Sequence, residues 1–222
     1  MIENILKNRK HVREYDQTAD IPESLIDSLL QKTWAVTPSK NNFMPYTVHV
    51  LGPKHQMYKE LVYMLAVSNE NHMNSFNSIR DIDNTNPNYI NILSCSYLLI
   101  FTMRLETQPN LFQQKQIQNG IYYEATDPRK LNDMSDTASL EVGLFANTFS
   151  GMCLENNIDT SYTLCFKREL EYWRELPFVK RMPLLIVTVG KAKTYRQDIA
   201  KKEGWAQYDL RPNYERIVSF IK

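Results

Sequence analysis

The apolar residues Leu25, Ile26, Leu29, Leu30 and Trp34 recur at the spacing of one helix face, and Pro22 stands before them where a first turn tolerates it. The spacing predicts a helix that ends before Pro38. From Tyr46 to Leu51 the pattern changes to alternation with β-branched residues, while Tyr97 to Met103 and Pro183 to Val189 are unbroken apolar runs. Alternation predicts a strand with one covered face, and a short unbroken run predicts a strand covered on both. Met134 to Asn156 carries Leu140, Val142, Leu144, Phe145, Phe149, Met152 and Leu154 over a stretch too long for a strand, so a central buried helix is expected. His55 to Leu65 reads as a shorter helix. Strands separated by helices, without an internal repeat, point to an α/β or α+β sandwich.

Arg104 to Lys130 breaks this rhythm. It is polar and amide-rich, has little to bury, and reads as a lid-like surface excursion. Its aromatic residues Phe112, Tyr122 and Tyr123 either cover a planar ligand or pin the excursion to the body. Only six glycines occur in 222 residues and no window has the composition of a flexible linker, so residues 1–222 are expected to form a single domain.

Charge narrows the function classes. With 26 Lys+Arg against 25 Asp+Glu the net charge is +1, which offers no global field for nucleic acid or an anionic membrane. The N-terminal segment lacks the apolar core of a secretion signal, and the longest apolar run, Tyr97 to Met103, is too short to cross a bilayer. Cys95, Cys153 and Cys165 are odd in number and lie in or near apolar runs, which fits reduced thiols with raised pKa values. A cytoplasmic protein without a membrane or nucleic-acid partner is the expectation.

Two segments carry candidate chemistry. Arg9, His11 and Arg13 share one side of an extended chain, and Arg9 and Arg13 share a face of a helix, so two permanent cations converge in either conformation. Guanidinium groups suit phosphate oxygens because their forked donors match them. The second segment, Pro38-Ser39-Lys40-Asn41-Asn42-Phe43-Met44-Pro45-Tyr46, packs turn formers and short polar side chains between a helix and a strand. The four histidines have no ligand-like spacing with one another or with cysteine, so no metal site is expected. A phosphate-binding P-loop, a G-x-G-x-x-G turn and a nucleophile elbow are all missing.

The order of these segments resembles the FMN-dependent nitroreductase family. Arg9 to Tyr15 resembles its R-R-S-x-R-x-F pattern, with His11 for Ser and Tyr15 for Phe; Pro38 to Tyr46 resembles P-S-x-x-N-x-Q-P-W, keeping Pro38, Ser39, Asn42 and Pro45. Asn88 and Asn91 fall where the family sets polar or basic residues against the flavin pyrimidine. The segment Ile158 to Cys165, the strand end at Val187 to Gly190 and a final basic residue, best matched by Arg211, complete the order. The resemblance implies a nitroreductase-like mixed sheet flanked by helices, assembled as an intertwined homodimer with FMN at the subunit interface.

By the same resemblance Arg9, His11 and Arg211 hold the phosphate, with Lys10 and Lys40 beside the cofactor. Pro38, Ser39 and Asn42 approach the flavin from the partner subunit, and the backbone of Thr163, Leu164 and Cys165 faces its redox edge. Arg13 is the catalytic candidate, a fixed cation near the flavin pyrimidine that stabilises the reduced ring. The implied activity takes hydride from NADH or NADPH, bound transiently, and passes it to a small planar acceptor such as a quinone or nitroaromatic in alternating half-reactions. A dehalogenase-like or flavin-consuming member and a flavin-binding protein without turnover are the alternatives. Met44 replaces the family's Gln, Asn91 replaces a frequent Lys or Arg, and Glu155-Asn156-Asn157 replaces a Gly-containing turn that Asn can also form.

Overall fold

A computed structural model describes residues 9–39, 42, 44–70, 88–104, 111–120, 128–202 and 217–218, with the backbone alone at 68–70, 112–113, 116–117, 128–135 and 199–201. β1 (Val12–Tyr15) leads to α1 (Glu23–Val36), β2 (Tyr46–Leu51) and, after a 3-10 turn at Pro53–His55, α2 (Gln56–Glu70). α3 (Ile90–Ser94), β3 (Tyr97–Met103), α4 (Leu111–Gln118) and the long α5 (Pro128–Glu155) follow. β4 (Asp159–Thr163), a 3-10 turn at Leu170–Trp173, β5 (Pro183–Gly190), β6 (Ala192–Tyr195) and α6 (Arg196–Lys202) come last.

Four strands form one sheet in the order β2-β3-β5-β4, and β1 pairs with β6 in a second; every pairing among the described strands is antiparallel. Strand alternation divides β3 between two cores. Leu98 and Ile100 face a cluster with Val62, Leu65 and Ala66 of α2 and with Trp173, while Tyr97, Leu99 and Phe101 face Ile26 and Leu29 of α1 and Val142, Phe145 and Phe149 of α5. Helices therefore cover both faces of the sheet, which is why β3 and β5 are apolar apart from the buried Thr102 and Thr188. This is the α+β sandwich that the sequence predicts.

The helix expectations need correction where residue type misleads. α1 buries Ile26, Leu29 and Thr33, and Trp34, one step around the helix from Thr33, is 62% exposed. α5 begins at Pro128, a residue suited to the first helical position, rather than at Met134. It buries Ala138, Val142, Phe145, Ala146, Phe149 and Cys153, while Leu140 and Leu144 lie one turn apart on an exposed face. Its end closes as the sequence allows: Asn157 takes φ +54°, the Ile158 amide donates to the Cys153 carbonyl at 2.9 Å and the Asn157 amide to Leu154 at 3.0 Å. Those paired bonds form the Schellman motif, which sends the chain into β4.

Cys95 and Cys153 are buried, and burial pushes the Cys95 thiol up to about 11 and the Cys153 thiol higher still. Cys165, unlike the other two, is exposed, just past the end of β4. Within the Arg104 to Lys130 segment, Leu111 at the start of α4 is exposed; Tyr122, Tyr123 and the Phe112 side chain lie outside the described residues. No helix among the described residues is long and apolar enough to cross a membrane.

Candidate functional site

Pairing of β1 with β6 assembles the first half of the site. Val12 stands opposite Tyr195, so the next residue, Arg196, arrives beside His11, and its amide donates to the His11 carbonyl at 2.8 Å. β1 is also pinned from below. The Tyr15 amide donates to Ser94 Oγ at 3.0 Å, and its hydroxyl donates to the Thr188 carbonyl at 2.9 Å. Gly190 makes this possible, because a Cβ there would stand 2.6 Å from the Tyr15 ring.

His11 lies in the field of three guanidinium groups, those of Arg13, Arg196 and Arg9. Its Nδ1 lies 3.0 Å from Ser161 Oγ on β4, and its pKa is lowered to about 4 by burial first, then by Arg13, Arg196 and Arg9. The imidazole is neutral at pH 7, which limits the charge crowded into this corner. Arg9 lies with its guanidinium carbon 4.1 Å from the centroid of the Tyr162 ring, and its Nε is buried with no hydrogen-bond partner. Tyr162 is held in turn by bonds to the Ala146 carbonyl at 2.9 Å and Ser150 Oγ at 2.7 Å, so α5 supports the platform on which Arg9 rests. Arg13 is 9% exposed and donates to the Asn88 carbonyl at 2.8 Å. Burial lowers the pKa of Arg196 as well, but a guanidinium keeps its charge.

The second half is built around Ser39, at the end of α1. Its hydroxyl donates to Glu141 Oε2 at 2.7 Å and accepts the Met44 amide at 2.8 Å; Asn42 and Met44 take φ +52° and +46°. Ser39 is half-buried, whereas Pro38 and Asn42 are exposed. Lys40 and Arg211 lie outside the described residues.

The sequence candidates thus divide. Arg9, His11 and Arg13 come together, with Asn88 fixing Arg13 through its backbone. Lys10 is exposed and lies 4.9 Å above the Tyr195 ring instead. Asn91 is 1% exposed and donates to the Val12 carbonyl at 3.3 Å, so it braces β1 from the core rather than lining a surface. Thr163 is buried at the end of β4, and Leu164 and Cys165 turn outward. Arg196, Ser161, Tyr162 and Glu141 were not legible as site residues; for Arg196 the only signal is the strand pairing, which no local pattern announces.

A cavity of about 520 Å³ opens elsewhere, between Gln17–Ile21 and the start of α2. Lys59 on its wall donates to the Cys95 and Ser96 carbonyls at 2.8 and 3.0 Å, capping the C-terminal end of α3, so its charge serves the fold.

The fold has solved counterparts. A nitroreductase-like protein from Streptococcus mutans is 21% identical, with 99% of this chain and 97% of that one covered and a TM-score of 0.66. A candidate NAD(P)H:FMN oxidoreductase from Staphylococcus epidermidis is 17% identical over 100% of this chain and 96% of its own, at TM-score 0.68. A candidate nitroreductase from Exiguobacterium sibiricum, solved in complex with FMN, is 14% identical over 100% and 97%, at TM-score 0.67. Neither a protein-family model nor a curated protein matches the sequence. The chain has the nitroreductase-like fold.

Proposed function

We propose that the protein is an FMN-dependent oxidoreductase that takes hydride from NADH or NADPH and delivers it to a small planar acceptor, a quinone, nitroaromatic or related electrophile. The carrying observation is the convergence of Arg9, Arg13 and Arg196 on a neutral His11, with the Arg9 Nε buried and unpartnered. Leaving a buried charged donor unmade costs on the order of 1–3 kcal/mol, and a phosphate oxygen would complete it. The solved counterparts of this fold include a protein in complex with FMN, which supports that identity for the anion.

FMN, when bound, supplies two-electron chemistry at its isoalloxazine ring. Arg9 and Arg196 would hold its phosphate, with His11 contributing a neutral hydrogen-bonding group and Arg211 and Lys10 as further cations. Arg13 is fixed by its bond to Asn88 and would stand as a permanent positive charge toward the pyrimidine side. Asn91 faces the core, so Arg13 would act there without help from that position. Ser39 donates to Glu141, which leaves its oxygen free only to accept from a ligand; Pro38, Lys40 and Asn42 would add contacts from the same segment. The backbone of Thr163, Leu164 and Cys165 would border the redox edge.

A second copy of the chain is part of the proposal. Trp34 and Val36 on α1 and Leu140 on α5 are each more than 60% exposed, Leu144 is 42% exposed, and the two helices pack against each other. Exposed apolar side chains on two packed helices suit a subunit interface, and a homodimer built there would carry Ser39 and Asn42 toward the partner's cofactor.

The test is a flavin spectrum followed by turnover. The purified protein should retain or take up FMN with a perturbed visible spectrum, and should then oxidise NADH or NADPH in the presence of a quinone or nitro acceptor. A sample that is colourless as purified, and again after incubation with FMN and removal of the free flavin, contradicts the proposal. A yellow sample that reduces none of these acceptors points instead to a specialised flavin enzyme or a binding protein without turnover.

A further inference from the structure

The conformation of Met44 is held from both sides. Its amide donates to Ser39 Oγ at 2.8 Å, and its carbonyl accepts from Arg104 Nε at 2.9 Å. Its φ of +46° is a region that non-glycine residues occupy only in about a few per cent of cases, so something must keep it there. The Ser39 end of the clamp continues to Glu141, a carboxylate only 4% exposed on α5, at 2.7 Å. The Arg104 end is continuous with the sheet, since the Arg104 amide donates to the Pro45 carbonyl at 2.9 Å as β2 and β3 begin to pair. One helical turn beyond Glu141, Phe145 packs edge-on against the Tyr46 ring at 5.6 Å, fixing the far end of the same segment.

A buried carboxylate is costly unless it serves as an acceptor, and an unbranched apolar residue gains nothing from a left-handed backbone. Each feature explains the other. Met44 packs inward against the α1/α5 core while its backbone turns sharply, and the turn exposes Asn42. We propose that Glu141 is a positioning residue that, through Ser39 and together with Arg104, locks Met44 in its left-handed conformation and so sets the pose of Asn42 at the candidate site. Glu141 touches no ligand in this account. Its relevance to catalysis rests on the flavin reading above, but the lock itself does not.

The lock predicts a specific coupling. Without Glu141 a Met at position 44 should leave the left-handed region almost completely, whereas glycine occupies positive φ about as readily as negative and would retain a large share of the productive turn. The experiment is a double-mutant cycle of Glu141→Ala with Met44→Gly, read by hydrogen exchange at residue 44 and by FMN titration. Glu141→Ala alone should speed exchange of the Met44 amide and weaken FMN binding by about tenfold. In the Met44→Gly background the same change should weaken FMN binding by no more than about threefold. Equal losses in both backgrounds would overturn the lock, as would an unchanged exchange rate at Met44 in Glu141→Ala. If Glu141→Ala does not fold, Ser39→Ala breaks the same chain and is read by exchange at the Met44 amide alone, which should speed up, because the Ser39 hydroxyl is itself a candidate ligand contact. A protein that never binds FMN removes the flavin reading, and the exchange arm still decides the lock.

Discussion

The arginine cluster and the Ser39 to Met44 turn are two solutions to the same problem, presenting polar groups to a ligand from a fixed frame. The cluster is held by tertiary pairing: β1 against β6, Tyr15 against Gly190 and Thr188, and Tyr162 against α5. The turn is held by a short chain of side-chain bonds around two residues of positive φ. The first leaves the buried Arg9 Nε without a hydrogen-bond partner, and the second stores conformational cost in the backbone. A ligand anion would complete the first, whereas nothing a ligand brings relieves the second. Affinity should therefore reside mainly in the cluster, and the turn should shape what is bound.

The largest expected effect tests that division. Arg9→Ala and Arg196→Ala should each weaken FMN binding by about 100-fold, equivalent to about 2.7 kcal/mol, against about tenfold for Ser39→Ala, as measured by fluorescence titration. Comparable losses from Ser39→Ala would erase the contrast. Gly190→Ala should then cost about 2 to 3 kcal/mol in thermal or urea unfolding, because its Cβ would collide with the Tyr15 ring that anchors β1. It should impair the cluster more than the turn.

Acid sharpens the electrostatic half of the comparison. Folded His11 titrates at about 4 against 6.5 for the free side chain, so the unfolded chain takes up its proton first as the pH falls. The His11 contribution to stability is complete above about pH 6.5 and is lost between 6.5 and 4, by up to about 3 kcal/mol after allowance for partial exposure. Replacing His11 by Asn should flatten that slope in unfolding measured across pH, and a bound anion should raise the His11 pKa seen by NMR. The smallest effect is expected at the entry to β4. Asn157→Gly should stabilise the fold by under about 1 kcal/mol, since glycine accepts the left-handed cap more readily.

The same contrast separates what the sequence discloses from what it hides. The bounds of β2 and β3 are read to the residue from alternation and from an unbroken apolar run, although β2 is not buried on one face alone: Tyr46 and Leu51 enter opposite cores and Val50 is exposed. β1 and β6 are four residues each and acquire meaning only by pairing across the chain, so Arg196 stays hidden although Arg9 and Arg13 do not. Trp34 and Leu140 look like core by residue type, yet helical phase turns both outward. Asn91 and Glu141 show the opposite case. Both are polar residues that the fold buries, one to brace β1 and one to accept from Ser39, and single-residue polarity gives no hint of either.

The most direct test compares FMN with riboflavin, which carries the same ring system and no phosphate. If Arg9, Arg196 and His11 form a phosphate anchor, the protein should bind FMN at least about 100-fold more tightly than riboflavin, and Arg9→Ala should remove most of that difference. Equal affinity for the two, or a preference for FMN that survives Arg9→Ala and Arg196→Ala together, would contradict the account.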